Sequence, residues 1–125
     1  MDKYSLKPFS CTSGFIGKIP VIFIIGDVTS GVKNPLLDEV EKIAENAQKT
    51  AALHFGESFY INSSGVADIL KVIRSARNRN INIVIYKPNS YINSIFQIIG
   101  LYEVADLIES EDELLKLAGV IQESN

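Results

Sequence analysis

The 125-residue chain has no tryptophan, one cysteine, one histidine and one methionine. A lone cysteine cannot close an internal disulfide, so the fold must be held by its core. With only Cys11 and His54 available, no His/Cys ligand set of zinc-site spacing exists, and neither a metal nor a cofactor is expected. Long apolar runs are missing too: residues 20–25 fall far short of the roughly 20 residues that span a bilayer. No long apolar segment follows Lys3 and Lys7, which argues against a signal peptide and makes the cytoplasm the expected location. Basic charge is not in excess. With 12 Lys and Arg against 15 Asp and Glu, the net charge of -3 counts against nucleic acid as a direct partner.

What is present reads as an ordinary globular composition, 46% hydrophobic and 22% charged, which sets it apart from disordered chains. Its length predicts one domain over residues 1–125. From about Tyr4 to Gly26 the pattern predicts two strands, with Ser13-Gly14 and Gly17-Lys18 as turn candidates. Residues 19–25 are β-branched and almost wholly apolar, as in a strand covered on both faces. A loop follows over 26–34. Pro35 is expected to open a helix whose stripe is Leu36, Leu37, Val40, Ile43, Ala44 and Ala47.

Residues 51–61 read as an extended stretch with a bend near Gly56. The spacing of Val66, Ile69, Leu70, Ile73 and Ala76 predicts a helix over 66–79. Residues 81–86 alternate as a strand. Pro88-Asn89-Ser90 begins a helix with the stripe Ile92, Ile95, Phe96 and Ile99, closed by Gly100. A short strand is expected over 105–108. Ser110-Glu111-Asp112-Glu113 has the form of a capping box for a last helix carrying Leu114, Leu115, Leu117 and Ala118. The tail over 122–125 is expected to fray. The order β-β-α-β-α-β-α-β-α implies an α/β fold, a mixed and largely parallel sheet with about four helices packed on it.

Few residues invite chemistry. Gly26-Asp27-Val28-Thr29-Ser30-Gly31-Val32-Lys33 superficially resembles a phosphate-binding loop. However, Val32 separates the second glycine from Lys33, Asn34 stands where a hydroxyl belongs, and Asp27 would repel phosphate. Cys11 has no base near it in sequence, and His54 sits alone on an apolar strand. A relay between Ser63 and His54 lacks both the glycine pattern of a nucleophile elbow and an orienting carboxylate. More informative is Asn62-Ser63-Ser64-Gly65, where an apolar run ends and the helical pattern begins. Asn and Ser there fit a helix cap, since their side chains accept hydrogen bonds from N–H groups that lack an intrahelical partner. They also fit a hydroxyl presented for modification, since an added phosphate would meet those N–H groups and the positive end of the helix dipole.

The unit of strand, Asn62-Ser63-Ser64-Gly65 and helix resembles the phosphorylation segment of STAS domains, the fold of anti-sigma factor antagonists. The resemblance runs from about Ile19 to Ala118. It includes Gly26 after the second strand, Val66 after Gly65, residues 81–86 as the next strand, and Phe96-Gln97-Ile98-Ile99-Gly100-Leu101 as a helix end. It implies a protein-binding regulator and not an enzyme. Its partners would be an anti-sigma factor that is also a serine kinase, and a serine phosphatase. The implied phosphorylation site is Ser63. The implied partner-binding surface combines Thr29, Ser30, Asn62, Ser64, Gly65, Asn89 and Ser90. Relatives usually carry Asp where Asn62 stands, Asp near Thr29, and Asp or Asn at His54. A STAS adaptor or structural subunit that is never phosphorylated is the alternative reading.

Overall fold

The computed structural model describes residues 7–45 and 49–123, with side chains in the last helix described through residue 118. Five strands form one sheet in the order β1-β2-β3-β4-β5. They are β1 (Ser10–Ile16), β2 (Ile19–Ile25), β3 (Thr50–Glu57), β4 (Asn82–Tyr86) and β5 (Asp106–Ile108). β1 and β2 form an antiparallel hairpin, and the remaining neighbours pair in parallel. The helices are α1 (Lys33–Ala44), α2 (Ser63–Asn78), α3 (Ser90–Ile98) and α4 (Glu111–Glu123). A short 3-10 turn at Leu101–Glu103, which the helical and strand periodicities gave no reason to expect, bridges α3 to β5.

Strand alternation divides the core in two. Ile22, Ile24, Leu53, Phe55, Ile83 and Ile85 face one side, beneath Leu36, Val40 and Ile43 of α1, Ile69 and Ile73 of α2, and Ile92 and Phe96 of α3. The opposite side presents Ile19, Val21, Ala52, Val84 and Tyr86 to Leu114 and Ala118 of α4. β2 is therefore apolar along nearly its whole length because helices cover both its faces. Pro20 is tolerated because pairing with β3 begins only at Val21, so its missing N–H breaks no bond on that side.

Several boundaries move. Ser13-Gly14 is not a turn: both lie inside β1, paired with Ile22 and Val21, and the chain reverses only at Gly17-Lys18. Helix α1 starts at Lys33 and not at Pro35, which occupies the first turn, where no backbone N–H has an intrahelical acceptor. Similarly, α2 starts three residues before Val66, because Asn62 already supplies the cap. On α3, Ile92 and Phe96 are buried, whereas Ile95 is half-buried and Ile99 exposed, so the core stripe is narrower than its spacing suggests. Half of the capping box forms as expected, the Glu113 N–H donating to Ser110 Oγ at 3.2 Å, while Glu113 Oε1 reaches one residue further back and accepts the Glu109 N–H at 3.1 Å. Residues Tyr4 and Ala47 lie outside the described residues, as do 124 and 125 of the tail, while Gln122 and Glu123 belong to α4.

Candidate functional site

Parallel strands followed by helices bring their βα loops to one end of the sheet, the usual place for a site in this architecture. Three loops meet there: 26–32 after β2, 58–62 after β3 and 87–89 after β4. Beyond the sheet proper, the first two are tied together. Val28 and Ile61 form an isolated parallel bridge, with the Val28 N–H donating to the Tyr60 carbonyl at 2.9 Å and the Asn62 N–H to the Val28 carbonyl at 3.2 Å. The Ser58 hydroxyl, buried, donates to the Ile24 carbonyl at 3.2 Å and anchors the bend after β3.

This zipper places the start of α2 directly against the β2 loop. Asn62 is the N-cap in an extended conformation, and its Oδ1 accepts the Gly65 N–H at 2.9 Å. Gly65 is buried, and a Cβ on it would overlap the Val28 carbonyl oxygen, so glycine is required by close approach and not by backbone angle. Ser63 and Ser64 are both exposed on the first turn of α2. No acidic residue lies in that turn, so the positive end of the helix dipole faces outward uncompensated by side-chain charge.

The third loop is capped in the same way. Asn89 Oδ1 accepts the Ile92 N–H at 2.8 Å, and Ser90 is exposed. Tyr91, at the start of α3, donates its hydroxyl to the Ile61 carbonyl at 3.2 Å and stacks on Tyr60 with ring centroids 6.2 Å apart. Between α2 and α3 this leaves a groove of about 340 Å³ running from Ser63 past Val66 and Tyr91 to Ile95 and Ile99. Phe59 and Ile98 add exposed apolar surface in the flanking segments, Ile98 at 82% exposure. Two charge-free stretches, residues 58–67 and 88–102, build this whole region.

The expected site residues fall on this end of the sheet with distinct placements. Ser30, Ser63, Ser64 and Ser90 are exposed, Thr29, Asn62 and Asn89 are half-buried, and Gly65 is buried. The aromatic and aliphatic walls of the groove were not singled out in the sequence, because Ile95 and Ile99 fit the core periodicity of α3. A second unanticipated feature is a clasp at Asp27, which is 3% exposed: Oδ2 accepts the Lys7 N–H at 2.8 Å, while the Asp27 N–H donates to the Lys7 carbonyl at 3.0 Å. The acid that makes the loop wrong for phosphate is thus engaged with main chain.

The remaining candidates separate from Ser63. His54 points to the side of the sheet opposite α2, between Phe23 at 5.0 Å and Tyr86 at 5.2 Å, and its Nδ1 accepts the Gly56 N–H at 3.1 Å. Burial lowers its pKa and the nearby Lys87 adds to the effect, outweighing its own backbone hydrogen bond and Glu57. The Ser63–His54 relay therefore does not form. Burial raises the Cys11 pKa, with Glu39 and Asp38 acting in the same direction against Lys42, which keeps the thiol protonated and unreactive. Among the described residues no group of His, Cys, Asp and Glu is arranged to hold a metal, and no helix is long and apolar enough to cross a membrane.

Comparison with solved structures gives the same fold at low identity. The anti-sigma factor antagonist SpoIIAA in its unphosphorylated form superposes with a TM-score of 0.61 at 16% identity, over 89% of this chain and 97% of that one. The Bacillus cell fate determinant SpoIIAA in the phosphorylated form gives 0.61 at 18% identity, over 89% and 99%. An anti-sigma factor antagonist from Mycobacterium paratuberculosis gives 0.62 at 12% identity, over 88% and 93%. No curated protein matches the chain. A family model does, spanning residues 14–114, and by that match the chain belongs to the STAS domain family.

Proposed function

We propose that this chain is a protein-binding switch of the anti-sigma factor antagonist kind, docking an anti-sigma serine kinase through the loop end of its sheet. Phosphorylation of Ser63 turns docking off, and a serine phosphatase restores it. The observation that carries this reading is the setting of Ser63, an exposed hydroxyl on the first turn of α2 at the mouth of an uncharged, apolar-walled groove. An apolar surface exposed in this way is suited to contact with another protein.

A phosphate at Ser63 adds about -1.5 to -2 charges and three acceptor oxygens. At the start of α2 it meets the helix dipole, so the modified protein tolerates it. Against a docked partner the balance reverses. The phosphate must be desolvated beside Tyr60, Val66 and Tyr91, and burying an unpaired charge is strongly unfavourable. The switch acts on the complex and leaves the fold unchanged. Thr29, Ser30, Asn89 and Ser90, on the two flanking loops, extend the docking surface.

Intact-mass analysis of protein from its native cells tests the reading. One phosphate is expected on wild type under some growth conditions and none on Ser63→Ala. Absence of phosphate under all conditions favours the non-switching adaptor, a reading motivated by Asn62, whose amide caps α2 without the negative charge that relatives carry beside the acceptor.

A further inference from the structure

The segment 60–62, which delivers Ser63, is held from two sides by different means. On the β2 side main chain does the work. The Val28 N–H donates to the Tyr60 carbonyl and the Asn62 N–H to the Val28 carbonyl, a parallel bridge centred on Ile61. In such a bridge the N–H and C=O of the central residue point away from the paired strand. The Ile61 carbonyl therefore faces the β4 side. No strand meets it there, because β4 ends at Tyr86 and pairs with β3 only as far as His54.

A side chain supplies the missing donor. The hydroxyl of Tyr91, the second residue of α3, donates to the Ile61 carbonyl at 3.2 Å. Among the described residues this is the one hydrogen bond between α3 and the segment 60–62. The ring also stacks on Tyr60, with 10° between the planes, so one side chain grips two consecutive residues of the segment. Core packing does not call for tyrosine here: α3 buries Ile92 and Phe96, whereas Tyr91 stays 45% exposed. What a phenol adds at this position is a donor for a main-chain acceptor that has no strand neighbour.

Ser63 follows this segment directly, and Asn62 is the cap on which α2 begins. Tyr91 and Ser63 also line the same groove. The two parts of the tyrosine side chain therefore have separable tasks. Its ring is a wall of the apolar surface, and its hydroxyl fixes the stretch of chain from which Ser63 is presented.

We propose that Tyr91 is the positioning residue for Ser63. Its hydroxyl tethers the segment 60–62 to α3 and so sets where the Ser63 hydroxyl stands over the groove. The role in phosphorylation rests on the docking reading above, whereas the tether is a property of this chain alone. Removing the hydroxyl loosens the segment and leaves the apolar wall in place. Removing the ring as well takes away part of the surface that a partner touches.

Tyr91→Phe on the full chain, which deletes one oxygen and keeps the ring, tests this in two ways. By NMR, amide hydrogen exchange is expected to be about fivefold faster or more at Val28 and Asn62, whose N–H groups close the bridge, and unchanged within about twofold at Leu53 and Ile85. Unchanged exchange at Val28 and Asn62 overturns the tether. Equal acceleration throughout the sheet does so too, since it marks a general loss of stability. With a purified anti-sigma kinase, Tyr91→Phe is expected to lower kcat for Ser63 phosphorylation about fivefold or more at unchanged KM, while Tyr91→Ala raises KM as well. Equal kcat for wild type and Tyr91→Phe overturns the positioning role and leaves the docking reading intact. A wild type that the kinase leaves unmodified overturns the docking reading and the role of Tyr91 in it, even where the exchange difference persists.

Discussion

At the scale of single residues, the site depends on what its neighbours leave unsatisfied. Asn62, Gly65 and Asn89 are occupied with helix starts, while the Ser63, Ser64 and Ser90 side chains remain exposed. Gly65 is the most constrained of these. Gly65→Ala must push α2 away from the Val28 carbonyl, an overpacking that costs about 1–3 kcal/mol and is read as a lower urea midpoint. His54 makes a second residue-level prediction. Burial lowers its pKa below the ordinary value of 6.5, so the unfolded chain binds a proton more readily than the folded one. Stability is therefore full above the unfolded pKa and falls as pH drops through about 6.5 toward the folded value. Urea midpoints between about pH 7.5 and 5 should show this slope, and His54→Asn should flatten it. Asn62 was legible as a cap from sequence alone. That Gly65 is demanded by contact with Val28 was not, since nothing local in the sequence announces an approach from a loop more than thirty residues away.

At the scale of elements, α3 carries two kinds of apolar residue whose consequences differ. Phe96 is fully buried, meeting Phe55 edge-on at 5.4 Å and Tyr102 at 6.1 Å. Phe96→Ala should cost about 3–5 kcal/mol through the cavity it leaves. Ile98, on the outer side of the same helix, should change stability by no more than about 0.5 kcal/mol when replaced by Ser. If the docking surface reaches along α3, the same Ile98→Ser change weakens partner binding. Chemical denaturation and a binding titration on the two variants separate the roles. The period of α3 was readable in the sequence, but the division into core and groove was not. Ile92, Ile95, Phe96 and Ile99 share a helical stripe, and which of them are covered depends on tertiary contacts such as those of Phe96 with Phe55 and Tyr102. The start of α2 shifted for a related reason, since its apolar periodicity begins a few residues after the Asn62 cap, whereas α1 shifted because Pro35 sits inside its first turn and not at its first position.

At the scale of the whole molecule, the element order was legible because strand and helix periods alternate cleanly along the chain. Strand order, and the placement of α4 alone on one face, depend on contacts between distant segments that no local pattern records. That placement makes α4 indispensable. Leu114 and Ala118 cover Ile19, Val21, Ala52 and Val84, and ending the chain at residue 109 would expose that face. The truncated protein should bind a hydrophobic dye and lose its cooperative unfolding transition, whereas a native-like transition would show that α4 contributes little.

The proposed docking switch is tested most directly by titrating a purified anti-sigma kinase with wild type, Ser63→Ala and Ser63→Asp, after all three are shown to unfold alike. Tight binding by wild type and Ser63→Ala, with at least a tenfold loss for Ser63→Asp (about 1.4 kcal/mol), is the predicted result. Equal affinity for all three proteins would contradict it.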